Sequence, residues 1–221
     1  MKRTAALLLN SILGGICIAL GGTVFLRVRD TFPGSNVVAA FLFALGLLTI
    51  CTRGYALYTG KVCYVFDHPL PSYLYDVLLV WIGNFIGCAL IAAMESLTPL
   101  FGPKGIDAVA AQLVTNKTAA SYLGFFLLSI LCNIFIFIAV NGYAKNPHEI
   151  GKYLLLFFGV ICFILAGTEH CVANMYFWCV SGELYQNPLS SLIHILLATL
   201  GNAIGGLLFP VLEKARASLD A

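Results

Sequence analysis

Apolar residues fall into six long runs along the chain, separated by short polar stretches. A helix crosses the hydrocarbon core of a bilayer in about 20 residues. On that ruler the runs predict spans at residues 4–26, 35–66, 72–94, 118–143, 149–182 and 189–212. The second and fifth are too long for one straight crossing, and both carry polar residues in the middle. In the second these are Thr52, Arg53 and Gly54, then Thr59, Gly60 and Lys61. In the fifth they are Gly167, Thr168, Glu169, His170 and Asn174. Non-helical backbone is tolerated at membrane depth only where protein or a water-filled cavity satisfies it. The pattern therefore predicts an all-α integral membrane protein of six transmembrane helices, the second and fifth interrupted.

The pattern also repeats. Leu9–Ile16 resembles Leu127–Ile134, an offset of 118 (127 − 9). Gly83, Asn84 and Gly87 recur as Gly201, Asn202 and Gly205, again an offset of 118 (201 − 83). Each half, about 4–95 and 118–212, holds three spans, an odd number. The halves therefore run in opposite directions through the membrane, as an inverted 3+3 repeat within one transmembrane domain covering 1–221. Inside the two breaks the register shifts, and Gly54–Lys61 aligns with Gly167–Asn174 at an offset of 113 (167 − 54). Interruptions at equivalent places in two inverted halves point to a site between them at the midplane.

Composition fits the bilayer as solvent. With 60% apolar and 10% charged residues and a mean hydropathy of +0.94, there is too little charge to coat a soluble domain. A net charge of +2 suggests no nucleic-acid partner. Six Lys and Arg near the span ends (Lys2, Arg3, Lys145, Lys152, Lys214, Arg216) lie on the side of the termini, against Arg27, Arg29, Lys104 and Lys117 opposite. That excess predicts cytoplasmic termini for a multi-pass protein of the cytoplasmic membrane. The first apolar run continues into a full span, so no separable secretory signal is expected. All eight cysteines lie in apolar stretches, which favours packing over a disulfide framework or a CxxC metal site.

Glu169-His170 is the sharpest candidate for chemistry. A carboxylate or lysine at the bilayer centre costs roughly 2.5–3.5 kcal/mol even on lenient scales, so such groups face the protein interior or a water path. His170 reads as a proton-exchanging group in a pore. The alternative is a buried neutral ring bonded to a carbonyl freed by the break. Glu169, pointing elsewhere, is expected to satisfy freed backbone donors. Glu169, His170 and Cys171 are consecutive and cannot converge on one ion, and His68, His148 and His194 fall in or near loops or span ends. No metal and no cofactor are expected. Asn84, Asn133 and Asn202 read equally as interhelical bonds or pore groups, and Arg53 as a vestibule residue or a cap for free carbonyls. Two other classes compete with a channel. A membrane-embedded enzyme needs a second catalytic group at the depth of His170, and none stands out. A non-transporting packing subunit has no need of breaks in both halves.

Gly167-Thr-Glu-His-Cys-Val-Ala-Asn-Met175 resembles the signature of the formate/nitrite transporter family. Leu57-Tyr-Thr-Gly60, Leu131-Cys-Asn133 and Leu200-Gly-Asn202 are similar to its other motifs, in family order across nearly the whole chain. The resemblance implies six helices in an aquaporin-like inverted repeat, assembled as a homopentamer with one pore per subunit. It implies passage of small monovalent weak-acid anions (formate, nitrite or hydrosulfide), with protonation at the central His170. Thr59 becomes the threonine of the second-helix loop, and Asn133 and Asn202 the pore asparagines. Leu57 and Phe163 match the inner constriction, Phe43 and Leu47 the outer one. Lys117 matches a lysine that draws anions inward. Two positions depart from the pattern: Lys61 replaces the loop asparagine, and Ala56 replaces an acidic residue. Lys61 is assigned to the vestibule or to capping freed carbonyls.

Overall fold

A computed structural model describes residues 2–220, and these form helices and no strands. In chain order they are α1 (Lys2–Thr31), α2 (Asn36–Arg53), α3 (Tyr58–Lys61), a 3₁₀ segment (Val62–Asp67), α4 (Leu70–Ser96), α5 (Ile106–Thr118), α6 (Tyr122–Lys145), α7 (Glu149–Leu165), α8 (Cys171–Val180), α9 (Glu183–Gln186) and α10 (Pro188–Leu219). Five of them, α1, α2, α4, α6 and α10, are long and apolar enough to cross a membrane. The fifth apolar run is shared between the 17 residues of α7 and the 10 of α8. Large apolar side chains such as Leu78, Leu123, Phe158 and Leu200 are exposed around the bundle, a surface that needs lipid or another subunit to cover it.

Both breaks are made by one device. The Tyr55 amide reaches back to the Ile50 carbonyl at 3.0 Å, and the Thr168 amide to the Phe163 carbonyl at 3.2 Å. Each bond closes the end of a helix over a glycine in the left-handed region, Gly54 at φ 70° and Gly167 at φ 66°. Glycine adopts that conformation without a Cβ penalty, and the bond satisfies a carbonyl that the helix end would leave free. All three residues of one turn are 113 positions from their counterparts.

The helix pairs recur with the other offset. Where α4 crosses α1, a Cβ on Gly83 would lie 2.4 Å from Ser11 Cβ, and one on Gly87 2.2 Å from the Ile12 carbonyl oxygen. Where α10 crosses α6, a Cβ on Gly201 would lie 2.5 Å from Ser129 Cβ, and one on Gly205 2.0 Å from the Ile130 carbonyl oxygen. Every partner is displaced by 118. Missing side chains bring the backbones into contact, the usual way helices gain packing energy without a hydrophobic driving force.

One element was not anticipated. Helix α5 fills the connection between the third and fourth spans, and the fourth helix begins at Tyr122 rather than 118. Its mixed composition hides it from a hydropathy reading, yet Ile106, Ala110 and Val114 form a buried stripe at helical spacing. It packs on α1 and α8 and carries Lys117 to the second break.

The glycine contacts make a stability prediction. Gly205→Leu must displace the α6 backbone, an overpacking cost of about 1–3 kcal/mol, whereas a Cβ on Gly60 meets only Val140 at 3.8 Å. Detergent-purified Gly205→Leu is expected to melt several degrees below the parent and Gly60→Ala within about a degree of it. Equal melting temperatures for the two variants would contradict the crossing geometry.

Candidate functional site between the helix breaks

Each break is held from the far side by a fully buried asparagine. Asn202, on α10, donates from Nδ2 to the carbonyls of Ser129 (2.7 Å) and Glu169 (2.8 Å), and its Oδ1 accepts from the Cys171 amide at 2.8 Å. Its three bonds therefore bracket His170. Asn84, on α4, does the same for Leu57. It donates to Ser11 (2.7 Å) and Ala56 (2.9 Å) and accepts from the Tyr58 amide at 2.9 Å. The amide group suits the task because it has two donors and an acceptor in one plane. Asn133 donates to the carbonyls of Thr59 (3.1 Å) and Asn202 (2.7 Å). Neither Asn133 nor Asn202 lines either of the two cavities described below. Both hold the backbone around the site, the interhelical bonding that the sequence left open beside a pore role.

His170 is the N-cap of α8, and its Nδ1 accepts from the Ala173 amide at 3.1 Å. An amide can only donate, so Nδ1 holds a lone pair and the ring proton sits on Nε2. Nε2–H then donates to Thr59 Oγ1, 3.1 Å away. The imidazole face packs on Phe163, with centroids 5.5 Å apart. His170 is 3% exposed and Thr59 is 0% exposed. The bond between them joins the two breaks.

Glu169 takes side-chain donors rather than the freed backbone donors expected of it. Lys117 Nζ lies 2.5 Å from its Oε2, and Asn174 Nδ2 donates to the same oxygen at 2.9 Å. An ammonium is the stronger partner for a buried carboxylate, and Asn202 already serves the Cys171 amide. The pairing also changes the part of Lys117. Its charge is neutralised by Glu169, and both side chains are largely buried, at 13% and 4% exposure. Among the described residues, the cavity-lining cations with no carboxylate in ion-pair range are Arg29 and Lys61. Arg53 is exposed and lines neither cavity.

Two cavities approach this layer from opposite ends of the bundle. One, of about 290 Å³, lies on the face away from the termini and includes Arg29, Phe43, Lys117, Phe163 and His170. The other, of about 300 Å³, lies on the terminal face and includes Leu47, Leu57, Lys61, Tyr64 and Tyr143. They are quasi-equivalent. Ile50, Gly54, Tyr55, Leu57, Gly60, Lys61 and Tyr64 line one, and their counterparts 113 residues later line the other. Leu57 thus corresponds to His170, and Lys61 to Asn174.

The four apolar candidates group differently from the sequence expectation. Phe43 and Phe163 meet edge to face at 6.0 Å on the cavity away from the termini. Leu47 and Leu57 line the other cavity. Phe43 and Leu47 are one turn apart on α2, so they stand about 6 Å apart in depth and cannot form one ring. All four are at most 4% exposed, and the two cavities do not join. Phe25, Arg29 and Phe177 line the first cavity and Tyr64 and Tyr143 the second without having been singled out as site residues. Phe177 and Phe25 carried a usable signal, since they are the repeat counterparts of Tyr64 (offset 113) and Tyr143 (offset 118).

The buried ion pair predicts a non-additive pair of substitutions. Lys117→Met leaves a carboxylate buried without its cation, a loss of about 3–5 kcal/mol. Adding Glu169→Gln removes that charge and is expected to restore most of the thermal stability in detergent. A double variant less stable than the single one would show that the pair does not act as a unit.

The formate/nitrite transporter family model matches residues 1–214. The chain is 28% identical to an uncharacterized transporter of Bacillus subtilis over 90% of its own length and 84% of the relative's. It is 25% identical to the formate channel FocA of Haemophilus influenzae, over 93% and 84%. Its match to an uncharacterized transporter of Saccharomyces cerevisiae, 28% identical over 92% of this chain, spans only 35% of that protein. Among solved structures, a pentameric formate channel with formate bound superposes with a TM-score of 0.81 at 22% identity, over 99% of this chain and 98% of the other. An FNT family ion channel does so with a TM-score of 0.85 at 22% identity, over 98% and 91%. By the family match across nearly its whole length, together with the fold, this chain belongs to the formate/nitrite transporter family.

Proposed function

We propose that the protein is a channel for small monovalent anions of weak acids, with formate as the reference permeant, and that permeants take up a proton beside His170. The observation that carries this reading is the pair of quasi-equivalent cavities, from opposite faces, that converge on one closed layer containing a histidine and a threonine. Arg29 and Lys61 give each vestibule an uncompensated positive charge, which concentrates anions there. Between the vestibules the side chains of Phe43, Phe163, Leu47 and Leu57 exclude water, and a bare anion crosses such a layer at high cost. A neutral acid crosses it far more easily. His170 rests as the Nε2–H tautomer, and losing that proton would leave an imidazolate in an apolar layer. The proton therefore comes from the bulk solution, relayed along vestibule water bonded to Nε2–H so that the relaying water ends as water and the ring as the same tautomer, and the ring holds the anion and that water in place of Thr59. Reading α7 and α8 as one interrupted crossing makes six spans in two inverted halves. Both termini then share a face, which the Lys and Arg distribution assigns to the cytoplasm. Five subunits, as in the pentameric formate channel of the same fold, would cover the exposed Leu and Phe faces in part.

Flux of labelled formate into liposomes of the purified protein tests the reading, and uptake should rise as external pH falls. Asparagine is a good N-cap and has a donor of its own. His170→Asn is therefore expected to keep formate uptake and its pH dependence, whereas His170→Ala abolishes uptake. A pH-independent Asn variant would make the ring itself the proton donor, and uptake by neither variant nor parent would end the channel reading. Assembly is checked separately. Native mass spectrometry in mild detergent is expected to show five copies, and a monomer as the sole species would refute the pentamer.

A further inference from the structure

We propose that Glu95, which lines neither cavity, is a positioning residue for permeation: by bridging Thr23 on α1 and Tyr176 on α8, it sets how closely Phe25 and Phe177 meet in the vestibule away from the termini. This rests on the anion-channel reading of that vestibule.

Glu95 is buried in the last turn of α4 and takes part in none of the ion pairs among the described residues. A carboxylate buried without a cation is costly, and the negative end of a helix adds to the cost. The hydrogen bonds show how the group is held. Thr23 Oγ1 contacts Glu95 Oε1, the Tyr176 hydroxyl at 3.0 Å and the Ala19 carbonyl at 3.0 Å, and the Tyr176 hydroxyl lies 2.8 Å from Glu95 Oε2. Thr23 and Tyr176 bring one proton each, so an ionised Glu95 leaves two of these four contacts without a proton. A neutral Glu95 supplies a third proton. Its hydroxyl donates to Thr23, Thr23 donates to Ala19, and Tyr176 donates to the other carboxyl oxygen. The counterpart of Glu95 at an offset of 118 (213 − 95), Glu213, is exposed, so only one half buries its acid. An ionisable residue buried at such a place points to function before stability.

What the clasp holds is the vestibule wall. Thr23 is two residues before Phe25, and Tyr176 directly precedes Phe177. Gly22 admits the Tyr176 ring against α1, since a Cβ there would lie 2.5 Å from it. The rings of Phe25 and Phe177 meet at 6.0 Å, and the Arg29 guanidinium rests 5.3 Å from the Phe25 centroid. Phe25 also packs edge to face on Phe43, which meets Phe163, the ring that covers His170. A bridge between α1 and α8 behind this row therefore fixes the aperture on the way to His170.

Glutamine keeps the shape of the neutral acid, donating to Thr23 and accepting from Tyr176. With uptake by protein-free liposomes subtracted, Glu95→Gln is expected to keep the parental ratio of acetate to formate uptake. A looser aromatic pair admits the larger acid, so Glu95→Ala and Tyr176→Phe should each raise that ratio about fivefold, the worth of one hydrogen bond. Tyr176→Phe keeps its ring and serves if the alanine variant does not melt cooperatively. Phe25→Ala should raise the ratio too, and adding Glu95→Ala should change nothing further, because the residue being positioned is gone. A further shift in that double variant would make Glu95 merely structural and overturn the proposal. Infrared difference spectra of the parent against Glu95→Gln should contain the carbonyl stretch of a protonated carboxyl, and carboxylate bands alone would overturn the neutral clasp. Fluorophenylalanine at position 177 reads the wall without flux. Its ¹⁹F resonance is expected to coincide in the parent and Glu95→Gln and to move in Tyr176→Phe. That movement with no uptake by the parent would defeat the channel reading and support the clasp. Uptake with a parental ratio in Tyr176→Phe would defeat the clasp alone.

Discussion

Backbone groups freed in the middle of a membrane protein must find partners inside the protein, because no lipid can supply them. Everything distinctive in this molecule depends on how that demand is met. Two helices stop at Gly54 and Gly167, and the chain beyond each break is held by one amide side chain, from Asn84 and Asn202. Those asparagines stand on α4 and α10, which reach the breaks only because glycines let them lie against α1 and α6. The close crossing and the broken helix are thus one mechanical unit, present twice. Its product is a short stretch of extended backbone that presents Leu57 on one side and His170 on the other.

The duplication holds in the backbone at the helix crossings and the breaks, but after the first break the chain forms α3 and a 3₁₀ segment and after the second the single helix α8. The cavity positions contributed by the two breaks match at an offset of 113, yet they exchange leucine for histidine, lysine for asparagine and tyrosine for phenylalanine. One half carries the buried Lys117–Glu169 pair, and the other has Ala56 and an uncompensated Lys61 at the related places. A buried ion pair contributes little net stability, because desolvation offsets the attraction. Its effect is positional, since Lys117 ties α5 to the turn that carries His170. The asymmetry leaves one cavity with a buried ion pair beside Arg29 and the other with Lys61 among tyrosine and aliphatic walls.

Much of this was legible in the residues. Hydropathy located the membrane runs, the polar interruptions located both breaks, and the offsets of 118 and 113 identified equivalent positions in the two halves. These features are local or periodic, and the bilayer imposes them on any chain that crosses it, whatever its partners. Helix α5 was not legible, because a buried stripe of Ile106, Ala110 and Val114 in a mixed-composition helix falls below a hydropathy signal. The pairing of Lys117 with Glu169, 52 residues apart, the regrouping of Phe43 with Phe163 and Leu47 with Leu57, and the roles of Asn133 and Asn202 as backbone clips were decided only in three dimensions. So was the His170 tautomer, which follows from one amide at Ala173 and one hydroxyl at Thr59. A sequence determines which residues seek a partner inside the membrane. Which partner each finds depends on the depth and rotation of helices packed against one another, and those are set jointly by contacts between distant residues.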